Sequence, residues 1–179
     1  SLANLDLIQR RNHILRAALD ALSPASRQLL STLALLSEAV DYGTLKALNP
    51  HLSSKTEQVD DPAALKKLAE TVRDLEQRGL LQYDGRARRY DLHPVVRGVA
   101  AGGMNAEDKE SYGQRVVDHF SSQPHSPYEE AQTLEDLSSG LHVVRTLLKL
   151  GHYQQAADAF RGDLAQALLF NLEVHGEML

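Results

Sequence analysis

The chain has 179 residues, 42% of them hydrophobic and 24% charged, with no Cys and a formal net charge of −5. At ~100–200 residues per domain this is one domain or two small ones, long enough to bury about two thirds of the surface the unfolded chain exposes. The apolar fraction excludes a disordered tail, the lack of Cys excludes disulfide scaffolds, zinc fingers and thiol nucleophiles, and no apolar run approaches the ~18–20 residues of a membrane span.

Leu5 to Leu22 reads as a helix, with Ile8, Leu15, Ala18, Leu19 and Leu22 recurring near period 3.6. Ser23-Pro24 restarts the chain, because Ser is a favoured N-cap and Pro a favoured first helical residue. The helix that follows is expected to reach Ser37 with Leu29, Leu30, Leu33 and Leu36 inward. A short helix over Gly43 to Leu48 and a polar loop from Asn49 to Asp61 come next. Asp61-Pro62 repeats the cap and opens a helix to Arg78, whose apolar stripe is Leu65, Leu68, Ala69, Val72 and Leu75. Gly79 ends it as a left-handed C-cap. The period then drops to two around Leu81 and Tyr83, Asp84-Gly85 supplies turn chemistry, and Tyr90 and Leu92 return the chain. This is a β-hairpin with a loop longer than two residues. His93-Pro94 opens a further helix through Val95, Val96, Val99 and Ala100.

Past Gly102-Gly103, Asn105 with Asp108 suggests a capping box, and Tyr112, Val116, Val117 and Phe120 mark a helix. Ser121 to Thr133 contains two prolines and reads as a loop. Leu134 to Leu150 reads as one helix with Leu137, Leu141, Val144, Leu147 and Leu148 on one side. Gly151 lets the chain turn into a second helix, Tyr153 is expected to pack back on the first, Ala156 permits close approach, and Phe160 closes the pair. Asp163 to about Glu173 would begin another hairpin. The expected fold is mainly α: a winged helix-turn-helix with a small β-hairpin over residues 1–103, then a truncated, tetratricopeptide-like array of α-helical hairpins over residues 104–179. Charge supports the division, with 14 Lys/Arg against 12 Asp/Glu up to Gly103 and 5 against 12 after it. Ser at position 1 and the absence of a stop signal at Glu177-Met178-Leu179 read as a piece of a longer, cytoplasmic protein, Ser1 being a scar of its excision.

No GxxxxGK[ST] loop, HExxH pair or GxSxG elbow occurs, so nothing points to an autonomous enzyme, a metal or a cofactor of this chain. The carboxylate pairs Asp60-Asp61 and Glu129-Glu130 read as solvated turns or caps. His93 reads first as an N-cap. The same geometry lets a neutral imidazole N–H, assisted by the helix dipole, donate to a phosphate supplied from elsewhere. Arg86, Arg88 and Arg89, with Arg97 nearby, read as a solvated hairpin tip or as anion and nucleic-acid contacts. The helix before the hairpin weighs against duplex DNA, because Lys66, Lys67, Arg73 and Arg78 are diluted by Glu70, Asp74 and Glu76.

Leu22-Ser23-Pro24, Leu29-Leu30, Leu33-Ala34, Leu75, Arg78-Gly79-Leu80-Leu81 and Arg89-Tyr90-Asp91-Leu92-His93-Pro94-Val95-Val96-Arg97, in this order and spacing, resemble the winged-helix segment of STAND (NB-ARC-type) signalling NTPases. The stretch from about Asp108, with Leu150-Gly151-His152-Tyr153, Ala156 and Phe160, is similar to the repeat arms of bacterial members. The resemblance implies an upstream P-loop domain that binds ADP or ATP with Mg, and a protein or ligand partner on the repeat surface. It also implies homo-oligomerisation of the parent on opening. In the family a Met-His-Asp motif opens the last helix of the winged domain, and its His touches the β-phosphate of ADP. Leu92-His93-Pro94 stands there, so the resemblance gives His93 the sensor role and Arg97 a place bracing the interface. Pro94 replaces the family's Asp. Two alternatives stand beside this reading: a winged-helix transcriptional regulator with a helical sensing or dimerisation domain, and a tetratricopeptide-like adaptor.

Overall fold

In the computed structural model, residues 13–52, 59–123 and 128–172 are described. The expectations for Leu5 to Asn12, for the middle of the 49–61 loop and for the chain from Glu173 onward lie outside them. The protein is mainly helical with one small antiparallel sheet, and it falls into two compact units, Ser1–Asp108 and Lys109–Leu179.

In the first unit, residues 13–20 form helix α1. Ser23 caps α2 (Pro24–Leu35), its Oγ accepting the Ser26 N–H at 3.1 Å. Helix α2 stops two residues before the expected Ser37, because Leu36 is already extended. Leu29, Leu30, Leu33 and Leu36 are buried as expected. Asp41 caps the short α3 (Tyr42–Ala47), and Asp61 caps α4 (Pro62–Gln77), each accepting an N–H three residues on at 2.7 Å. The inner face of α4 is Ala64, Leu68, Thr71, Val72 and Leu75. The expected Ala69 is exposed and Leu65 only half-buried. The true stripe follows 64–68–71/72–75, and a residue adjacent to Leu68 lies about 100° around the helix from it. Gly79 has φ 68, and the N–H groups of Leu80 and Leu81 both return to the Leu75 carbonyl.

Strands β1 (Gln82–Asp84) and β2 (Arg89–Asp91) pair with Tyr83 opposite Tyr90, so the hairpin loop has four residues, 85–88. Val40 bridges the other side of Tyr90 with bonds of 2.9 and 2.7 Å. Helix α5 (Pro94–Gly103) buries Val96 and Ala100 and packs on α2.

Helix α6 (Ala106–Ser121) starts in the first unit from Asn105, whose Oδ1 accepts the Asp108 N–H at 2.7 Å while its amide donates to the Asp108 carboxylate at 2.9 Å, and it continues into the second unit, which the elements after it complete. The expected loop from Ser121 to Thr133 holds a 3₁₀ turn at Tyr128–Glu130. The expected single helix from Leu134 is a 3₁₀ turn, Leu134–Leu137, followed by α7 (Ser138–Leu150). Asp136 takes the N–H groups of Gln132 and Thr133 and the Thr133 hydroxyl, which tightens that first turn. Two residues, Gly151 and His152, separate α7 from α8 (Tyr153–Arg161), which packs on it. Helix α9 (Asp163–Gln166) runs on as a π turn, Ala167–Asn171. Leu137, Leu141, Val144, Leu147, Ala156, Leu164 and Leu168 form this unit's core. Leu148, expected inward, is 48% exposed, and His142 and Thr146 are buried instead. Phe120 of α6 stacks on His142 at 4.3 Å, so α7 also turns a polar face inward.

Candidate functional site

His93 is the N-cap of α5, held by the buried Leu92 before it and by Pro94 as the first helical residue. Its Nδ1 accepts the Val95 N–H at 3.2 Å. An accepting Nδ1 in a neutral ring places the proton on Nε2. The ring is exposed, so an Nε2–H donor stands in solvent beside the positive end of a ten-residue helix. An anionic oxygen meeting it there receives one charge-assisted hydrogen bond and the favourable field of the helix terminus.

Arg97, one turn along, is turned into its own unit. Its guanidinium donates to the carbonyls of Leu33, at 3.1 Å, and Leu36, and to the Asp91 carboxylate. It thereby closes the C-terminal end of α2 and ties α5 to the end of β2, with a side chain only 18% exposed. Helix-terminal carbonyls and a guanidinium suit each other, because the last turn leaves acceptors unmet and carries the negative end of the dipole.

At the hairpin tip, Arg86 and Arg88 are exposed and Arg89 is half-buried. The Asp84 carboxylate faces the loop backbone, accepting the N–H groups of Arg86 at 2.8 Å and Ala87 at 3.2 Å. Arg88 holds φ 54, the left-handed position that closes such a loop. On the hairpin face beside this tip lies a row of tyrosines. The Tyr83 and Tyr90 rings are 4.8 Å apart, and Tyr42, at the start of α3, lies 6.5 Å from Tyr90. Burial pushes the Tyr90 hydroxyl above its ordinary pKa, and the Glu76 carboxylate adds to it. Sequence reasoning missed this row. The opposed pair was readable from the hairpin register, whereas nothing near Tyr42 in the sequence places it there.

Among the residues expected to pack the α7–α8 pair, Gly151 is left-handed at φ 84, Ala156 is 2% exposed and Phe160 lies half-buried on the core. Tyr153 does not pack back on α7 and is 69% exposed. It is the first residue of α8, and a helical Cα–Cβ bond tilts toward the N-terminus, here past the end of the helix.

A buried polar cluster lay unseen in the expected loop. Asn49, fully buried, donates to the Ala64 carbonyl at 3.1 Å and accepts the His51 N–H at 3.0 Å. His51 Nε2 meets Thr71 Oγ1 at 2.9 Å, which has the look of a base and its nucleophile. The Thr71 hydroxyl already donates to the Lys67 carbonyl at 2.9 Å, so the imidazole is the donor and takes no proton from it. The cluster is a structural tie. A cavity of about 320 Å³ between α1, α2 and α5 is lined by Leu19, Leu30, Val99 and Ala100, with Arg16 and Arg27 among its polar residues. Among the described residues, no three His, Asp or Glu side chains converge as a metal site, and no helix is long and apolar enough to cross a membrane. Compared with known protein families, curated proteins and solved structures, the chain matches none.

Proposed function

We propose that the chain is the regulatory arm of a cytoplasmic STAND-type signalling NTPase: a winged helix followed by tetratricopeptide-like hairpins that carry a partner-sensing surface. The observation that supports this reading is the exposed Nε2–H of His93 at the N-terminus of α5, with Nδ1 fixed by the Val95 N–H. In this reading His93 donates to a phosphate of ADP held by a P-loop domain of the parent protein, which also supplies the Mg site. Arg97 keeps the α5 terminus in place from inside its own unit and does not itself touch the nucleotide. A partner on the repeat arm opens the closed state, and the bias it can exert equals its difference in affinity for the two states.

The chain alone offers one charge-assisted contact, so calorimetry with ADP shows no binding at millimolar nucleotide. Expressed together with the preceding part of its reading frame, it gives tight ADP retention that depends on His93. His93→Asp keeps an N-cap acceptor but presents a negative charge to the phosphate. That variant keeps its unfolding midpoint and releases ADP about ten- to hundredfold faster, the loss of one hydrogen bond to a charged group at ~1.5–3 kcal/mol. Unchanged release, or a preceding frame without a P-loop, overturns the reading.

A further inference from the structure

We propose that the tyrosine row and the arginine tip of the hairpin together form a binding surface for single-stranded nucleic acid, with two bases stacked along Tyr83 and Tyr42 and the phosphates at Arg86 and Arg88. The inference is independent of the nucleotide-switch reading. Tyr83 and Tyr90 are directly opposed, so their side chains leave the same face of the hairpin. Tyr90 is the half-buried middle of the row, and the rings on either side of it, Tyr83 and Tyr42, are 49% and 40% exposed. The outer rings thus keep open faces while the central ring fixes their spacing.

The charge around the row selects the ligand. The two carboxylates of the hairpin are engaged elsewhere, Asp84 on the loop N–H groups and Asp91 on Arg97 and the Leu92 N–H. Asp84 keeps its charge in accepting those neutral N–H groups, and residues 84–89 still carry three arginines against this one carboxylate, a net positive charge at the tip. Aromatic faces beside cations suit a flexible polyanion with π faces, which is the chemistry of a single strand. A duplex hides its base faces, and a proline-rich peptide has no use for the cations.

The test is fluorescence anisotropy of the full chain with a labelled oligothymidylate of ~12 nucleotides at about 50 and about 200 mM salt. Tyr83→Ala weakens binding about tenfold and Tyr83→Trp restores it, since any base stacks on an exposed aromatic face. Arg86→Gln with Arg88→Gln lowers the slope of log affinity against log salt by ~1.4, at ~0.7 per phosphate contact on a single strand. Both positions are exposed, and an unchanged unfolding midpoint verifies the fold of each variant. No binding at millimolar protein overturns the proposal. So does affinity unchanged by Tyr83→Ala, equal affinity for a duplex of the same length, or a proline-rich peptide that binds at Tyr83 where the oligonucleotide does not.

Discussion

Asn49 shows what one side chain contributes in the first unit. It is fully buried, and its carboxamide joins the turn after α3 to the first turn of α4 by donating to Ala64 and accepting from His51. A carboxamide suits the place because it carries a donor and an acceptor on one small group. Asn49→Asp keeps the volume and the acceptor but turns a carboxylate toward the Ala64 carbonyl. The expected loss is about 2 kcal/mol or more of unfolding free energy, because a buried group left unmet costs ~1–3 kcal/mol. Asn49→Ala loses a similar amount, and urea denaturation measures both. An unchanged midpoint in either variant would show that water replaces the carboxamide. Neither Asn49 nor the His51–Thr71 contact was legible in the sequence, since a polar residue in a polar stretch looks the same whether solvated or buried. His93 was legible, because a Pro behind it fixes the helix start and so the position of the ring.

At the scale of elements, three Pro-marked helix starts and the hairpin register were readable because each rests on local chemistry: an N-cap acceptor, a fixed φ, an alternating face. The entry to α7 was not. Leu134, Leu137 and Leu141 satisfy both three- and four-residue spacings, so periodicity does not distinguish a 3₁₀ turn from an α turn. Which of Leu148, His142 and Thr146 is buried depends on where α6 and α8 lie, which no local pattern holds. Two glycines of this unit do different work. Gly151 is left-handed, and the space a Cβ would enter there is open, so Gly151→Ala costs about 1 kcal/mol by backbone strain alone and Gly151→Asn recovers much of it. Gly113 has ordinary φ, but a Cβ there would lie 2.5 Å from Leu150 Cδ2 and 2.9 Å from Cγ. Gly113→Ala therefore displaces the Leu150 side chain from its place against α6, at ~1–3 kcal/mol, and no choice of small side chain relieves it. Denaturant titration separates the two cases: rescue by Asn at 151 and none by Ser at 113.

For the whole molecule the same groups set how stability follows pH. Burial, with the Lys67 cation behind it, holds the His51 imidazole below its ordinary value of 6.5, while Glu70 opposes them. The folded state thus sheds a proton that the unfolded state keeps below pH 6.5. Stability from this site is complete above 6.5 and falls as the pH drops from 6.5 to the lower folded value, because in that window the unfolded chain binds more protons. The carboxylates act at more acid pH. The hydrogen bond from Arg78, with another from Ser26, holds Asp74 below 3.8, and the N–H of Gln132 with both donors of Thr133 holds Asp136 there too. Their contribution is present above 3.8 and is lost as the pH falls through the folded values. Thermal unfolding followed from pH 7.5 downward should therefore show two declines. His51→Gln retains a donor to Thr71 but has no proton to take up, so it should flatten the decline below pH 6.5 and leave the one below 3.8 intact. Asp74→Asn should reduce the decline below 3.8 to the share left by Asp136 and leave the one below 6.5 intact. If His51→Gln left the upper decline at full size, another histidine would be its source, and the tie between residue 51 and α4 would not couple stability to protonation.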